Sequence, residues 1–362
     1  MTISLKERDR RYEAIRKLMR NRELDCLLIV GRDGHTTRGN LRYVSNYGVN
    51  FGEQYCIFPL DENPVFLGSS ISSTYVRRAG WIDVCMEAGD VPNQIVREIS
   101  RRNLSGKIGL VGMHYMSVPV YVSLKDVFSD RVTDAMAIFR EVRLIKSPEE
   151  IEKVKTSVAI ADEAYAVIRD MLKPGLSDYE IYGEVRRIVH RSGCEYSMEF
   201  IDAAGAKMNV YHPVGNVLEP DSTLALEITP AYGGYYAQLT VTMPVTNFPP
   251  HIEPLLSVWR EAYSAGVDKL KPGARVNDIQ RLVSETAREH GYMSPLRAGH
   301  GIGLDALEFF SFSDTDSTEL LPGMTVAFHP CVTVDAGGEG IGMGCTYLIT
   351  ERGAEKLNKT DL

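Results

Sequence analysis

The chain has 362 residues, 44% hydrophobic and 24% charged, with 48 acids against 40 bases for a formal net charge of −8. These values suit a folded protein of one or two domains and exclude long disorder, collagen-like repeats and coiled coil. No uncharged apolar run approaches the ~18–20 residues that span a membrane, and the acidic balance argues against nonspecific nucleic-acid binding.

The N-terminal stretch is charged from Lys6 onward and holds no apolar core, so the expectation is no secretory signal and a cytoplasmic protein. Apolar spacing over residues 6–22 predicts an amphipathic helix. Strands are expected at Cys26–Val30, Tyr55–Pro59, Asn63–Phe66, Trp81–Cys85 and Ile108–Val111, with helices at Val91–Arg102 and Val120–Phe128. This is an α/β pattern with a mixed sheet. Residues 137–150 read as the join to a second domain, giving boundaries of 1–137 and 138–362. Ser147 is a suitable N-cap followed by Pro148, Glu149 and Glu150, so a long helix should run to about Leu172. The six cysteines, Cys26, Cys56, Cys85, Cys194, Cys331 and Cys345, form no CxxC pair and read as free thiols.

The second domain repeats itself. Leu172-Lys173-Pro174-Gly175 recurs 98 residues later as Leu270-Lys271-Pro272-Gly273, each between two helices. Residues 218–227 (LEPDSTLALE) then align without a gap to 320–329 (LLPGMTVAFH), making Glu227 and His329 equivalent. A period near 100 residues is too long for a solenoid. It predicts an α+β domain of two halves about a pseudo-twofold, with the equivalent strands side by side around a shared cleft.

Polar residues interrupt apolar or glycine-rich text in four places: around His212, at Glu227, through Tyr236, Gln238 and Thr240, and at His300 and His329. Glu227 is expected to end the apolar strand Leu224-Ala225-Leu226, where an unpaired carboxylate is costly. Strand alternation puts Tyr236, Gln238 and Thr240 on one face. Taken singly, each has an ordinary structural explanation. Their joint placement makes them site candidates.

The text LKPG, residues 222–245, GHGIGLDALE (299–308), LPGMTVAFHP (321–330) and GIGMGCTYLIT (340–350) resembles the pita-bread fold of creatinase, prolidase, aminopeptidase P and methionine aminopeptidase. Residues 24–48 resemble the creatinase-type N-terminal domain. The resemblance implies a two-metal site of two Asp, one His and two Glu. Carried over, these positions are Glu227, Gln238, His300, His329 and, on or next to it, Gly344. A bridging ligand must offset two dications with anionic oxygens. Gln238 is neutral and glycine supplies nothing, so a two-metal aminopeptidase is not expected.

Two readings stay open. Glu227, His300 and His329, with Gln238 in reserve, suit one Fe, Mn or Zn ion with open positions. Alternatively no metal is held, as in creatinase, and His212 moves protons. Glu308 lies where the resemblance implies an acid, after a substrate-binding histidine that is Leu307 here. Tyr236, Gln238, Thr240, Glu308 and Arg42 are the expected substrate contacts. His35, Arg38, Arg42 and Tyr47 lie in a loop that a homodimer partner would lend to the site.

The reading is a creatinase/prolidase-like enzyme hydrolysing a C–N bond in a small polar molecule. The alternatives are a single-metal lyase or oxygen-dependent enzyme, and a non-catalytic binding module.

Overall fold

The computed structural model describes residues 3–203, 211–335 and 338–362. The chain divides into two compact units at Leu144/Ile145, seven residues beyond the expected boundary.

In the first unit, α1 (Leu5–Asn21) leads into β1 (Leu24–Arg32), and α2 (Gly39–Ser45) precedes β2 (Glu53–Pro59) and β3 (Val65–Gly68). Then come α3 (Ser70–Ala79), β4 (Val84–Glu87), α4 (Val91–Ser100), β5 (Lys107–Val111), α5 (Val118–Phe128), β6 (Val132–Asp134) and α6 (Met136–Leu144). The six strands make one sheet ordered β4-β3-β2-β1-β5-β6. β1 pairs antiparallel with β2 and parallel with β5, so the sheet is mixed as expected. β1 is buried from Cys26 to Gly31 because both its faces are covered.

The join expected over 137–150 is partly helix. α6 buries Ile138 and Phe139 and packs on α1 within the first unit. At nine residues it is too short to show a clear helical period in the sequence. The expected strand Trp81–Cys85 lies further on, at β4, because Gly80 ends α3 and Trp81 and Ile82 are buried before the strand begins.

The second unit opens with α7 (Pro148–Met171), which Ser147 and Glu150 close with a reciprocal capping box. It continues with α8 (Asp178–Arg191), β7 (Tyr196–Asp202), β8 (Thr223–Tyr232), β9 (Tyr235–Tyr236) and β10 (Leu239–Pro244). The second half follows as α9 (Glu253–Lys269), α10 (Val276–Glu289), β11 (Gly299–Gly301), β12 (Glu308–Ser311), β13 (Thr325–Phe328), β14 (Cys331–Thr333), β15 (Gly340–Gly342), β16 (Cys345–Thr350) and β17 (Gly353–Lys356).

The repeat is visible in the backbone. Gly175 and Gly273 both take positive φ, at 89° and 85°, where a side chain would be strained. Gly175 N–H donates to Leu218 O at 2.8 Å and Gly273 N–H to Leu320 O at 3.0 Å, and these acceptors are themselves repeat mates.

The equivalent strands are not side by side, however. β8 pairs with β10 and β13 with β16, and the two sheets join through β10 and β16 at the Thr240–Gly344 bridge. Each hairpin places its second strand at the centre, so β8 and β13 lie one strand out. Thr240 sits opposite Glu227, and continuing the β13–β16 register sets Gly344 opposite His329. The row across the centre therefore reads Glu227, Thr240, Gly344, His329.

Candidate active site

A cavity of about 630 Å³ opens in the second unit over this row. Glu227, Thr240 and His329 line it, with Gln238, Arg297 and His300. Met198, Phe200, Leu296 and Leu307 make up much of the remaining wall. Directly opposed positions on paired antiparallel strands turn their side chains to the same face, which explains why Glu227 and Thr240 meet here.

Glu227 does not end its strand: β8 runs on to Tyr232, and the carboxylate faces the cavity from mid-strand. It keeps some accessible surface there although protein surrounds it. Burial pushes its carboxyl up to about 7, against the smaller opposing effects of Arg297 and a long 3.4 Å bond from Thr229 Oγ1. A carboxyl in that range can give or take a proton at neutral pH.

His300 sits on β11, 2% exposed. Its Nδ1 lies 3.0 Å from Gly301 O and its Nε2 lies 3.1 Å from the Gln238 side chain. Burial first, then Arg297, lowers its basicity to about 4, so the ring is neutral near pH 7. Both ring nitrogens thus face an oxygen, Gly301 O at Nδ1 and Gln238 Oε1 at Nε2, and the neutral ring donates to one of them. The Gln238 amide nitrogen donates in turn to Thr240 Oγ1 at 3.2 Å.

His329 is held by the bond from its backbone N–H to Ala298 O at 2.7 Å. Its ring meets His300 edge to face at 5.2 Å. Burial, then His300 and Arg297, keep it well below the usual histidine range. Its Nε2 is buried and has no hydrogen-bond partner among the described residues, a state that costs about 1–3 kcal/mol.

Gly344 decides what this wall can hold. A Cβ there would stand 2.5 Å from His329 Cβ and overlap His329 Cα and Phe328 O. The strands have closed in where the side chain is missing, so no side chain fits without moving β13.

The donor set does not fit a pair of divalent ions: one carboxylate, one neutral amide and a glycine closed to substitution replace the anionic bridge. The expected single-ion set of Glu227, His300 and His329 lines one cavity. Yet among the described residues no group of three or more His, Cys, Asp or Glu side chains stands close enough to hold a metal ion. The Glu227 carboxyl is turned toward Thr229 instead.

Four other expectations are corrected. Tyr236 is fully buried in an apolar cluster with Ile302, Ala306 and Ala327, and it does not line the cavity. The strand breaks between β9 and β10, so Tyr236 and Gln238 do not share a face. Glu308 is 3% exposed and bonded to Lys146 Nζ at 2.8 Å and to the Asp305 N–H at 3.2 Å, which makes it a structural anchor. Arg42 is buried on α2 inside the first unit. Arg38 and Tyr47 are likewise used internally, by Val49 O and Asp33 O and by Ser72 Oγ.

His212 is exposed and does not line the cavity. Its ring lies 5.7 Å from Phe200, which does, and 6.4 Å from Tyr182. Asp178 anchors the following turn by accepting the N–H groups of Val214, Gly215 and Asn216 at 2.9–3.1 Å.

Arg297 escaped the sequence reading. It is a cation three residues before His300 in a segment otherwise short of charge, and that position was the available signal.

Two units of this kind, the second a pseudo-twofold pita-bread domain with its site over the central strands, define the creatinase/prolidase class of folds. A model of metallopeptidase family M24 matches residues 152–351, and one of the creatinase/prolidase N-terminal domain matches residues 11–145. The chain belongs to metallopeptidase family M24.

It is 27% identical to an Xaa-Pro dipeptidase of Pyrococcus furiosus over 62% of this chain and 66% of that one, just under two thirds of the relative's length. It is 24% identical to a putative dipeptidase of Bacillus subtilis over 90% and 94% of the two chains. The fold matches the prolidase of Pyrococcus horikoshii with a TM-score of 0.84 at 20% identity, over 97% of this chain and 99% of that one. It also matches an X-Pro aminopeptidase of Thermotoga maritima with a TM-score of 0.85 at 18% identity, over 97% and 98%. All six cysteines are free. Among the described residues no helix is long and apolar enough to cross a membrane.

Proposed function

We propose that this family member hydrolyses a C–N bond in a small polar molecule and does not work as a two-metal peptidase. The observation that carries the reading is Gly344. The bridging acid that the resemblance implies has no counterpart, and the closed contact with His329 leaves no room for one. Gln238, bonded to His300 and Thr240, supports it at the second bridging position.

Glu227 is the proton-transfer group in this reading, because its carboxyl is the one tuned near neutrality. The two neutral histidines form a wall that orients the reacting bond. His212, on an exposed turn anchored by Asp178, would reach the cavity by way of Phe200. A cytoplasmic homodimer acting on a small-molecule substrate completes the proposal.

The test pairs metal analysis with turnover on purified protein. Xaa-Pro dipeptides supplied with Mn, Co or Zn should show no metal-dependent cleavage. A screen of small amides, amidines and N-substituted amino acids should yield a substrate whose turnover Glu227→Gln abolishes. Metal-dependent dipeptide cleavage that survives Glu227→Gln would sink the reading. Failure of every substrate class would leave a binding module.

A further inference from the structure

The cavity holds charges that are not matched to each other. Arg297 makes no hydrogen bond or ion pair with a described residue, and its side chain is exposed at the rim. Glu227 has only the long bond from Thr229. Each feels the other electrostatically, yet they form no ion pair within 4.0 Å. The buried Nε2 of His329 has no partner among the described residues. The lining thus carries one unpaired cation and two acceptors, in a pocket that is otherwise largely apolar.

An unpaired guanidinium favours a carboxylate, which it can grip through two parallel N–H bonds. An unpaired carboxylate beside a bare imidazole nitrogen favours N–H donors, above all a cationic amine. Met198, Phe200, Leu296 and Leu307 favour an aliphatic or aromatic body between the poles.

We propose that the cavity recognises a small N-substituted amino acid as a zwitterion, with its carboxylate on Arg297 and its N–H groups on Glu227 and His329. This deepens the proposed function and rests on reading the cavity as its substrate site. Arg297 is then the specificity-determining residue. It would discriminate against uncharged amides and against substrates whose carboxylate is esterified.

The test measures binding with a probe that carries no hydrolysable bond, so its result is separate from turnover. N-methyl-L-leucine and N-methyl-L-leucinol, which differ only in the carboxylate, are titrated by calorimetry into the wild type, Arg297→Gln and Arg297→Lys. The wild type should prefer the acid by about tenfold or more. Arg297→Gln should erase that preference, and Arg297→Lys should keep part of it. Thermal unfolding of the variants should match the wild type, since Arg297 makes no hydrogen bond or ion pair with a described residue.

The proposal is overturned if acid and alcohol bind alike, if neither binds saturably, or if Arg297→Gln keeps the preference. Binding as expected, with no turnover anywhere in the substrate screen, would confirm the recognition and defeat the hydrolytic reading.

Discussion

The two halves of the second unit share one backbone plan and place different chemistry on it. In the first half, Glu227 faces Thr240 across β8 and β10, and the strands keep room for two side chains. In the second half, His329 stands opposite Gly344, and β13 and β16 have closed over the missing side chain. One half presents a carboxyl raised to about 7, the other a buried neutral imidazole whose Nε2 has no partner among the described residues. The same strand geometry thus yields an acid–base group on one side and a closed wall on the other. What differs is the residue on the outer strand, Glu227 against His329, and the residue opposite it, Thr240 against Gly344.

The largest effects should come from forcing the halves to be alike. Lys146→Met leaves Glu308 buried without its cation and should cost about 3–5 kcal/mol, read as a lower urea midpoint. The double variant Lys146→Met/Glu308→Gln should recover much of that loss, and no recovery would mean the pair is not the cause. Gly344→Ala should cost about 1–3 kcal/mol because the new Cβ overlaps Phe328 O and His329. Thr240→Ala, at the equivalent position, should cost less. Equal stability of Gly344→Ala and the wild type would refute the closure.

Glu227→Gln sharpens the contrast through pH. The folded carboxyl holds its proton up to about pH 7, while the unfolded one releases it near pH 4.5. The raised value favours the folded state only while Glu227 is protonated, so this contribution is lost as pH rises through about 7. Thermal scans should therefore show Glu227→Gln gaining a few degrees over the wild type at pH 8 and almost nothing at pH 4.5. A gain independent of pH would remove Glu227 from its role. The smallest effect is a null one. Nitrogen-edited NMR should show no titration of His300 between pH 5.5 and 8, since burial holds it to about 4.

Much of the fold was legible because local chemistry repeats. The Leu-Lys-Pro-Gly turns, the Ser147 cap and the gapless match of 218–227 to 320–329 specify the two halves without reference to distant residues. The buried run of β1 and the helix α7 were legible for the same reason. α6 was not, because its burial depends on α1. The site was legible as residue types: Glu227, Gln238, Thr240, His300 and His329 all line one cavity. Arg297 was missed because a lone arginine in a loop carries no periodicity.

The sequence by itself determined the family resemblance and the repeat behind the pseudo-twofold, since each is a matter of residue identity at a given spacing. Only the tertiary structure decided that Glu308 is tied to Lys146, that Tyr236 turns into the core and that Glu227 does not converge with the histidines. It alone showed that Gly344 is closed, because whether a missing side chain leaves a hole or draws two strands together depends on packing. Spacing along a chain fixes which groups can meet. The balance of burial and pairing in three dimensions settles which of them do.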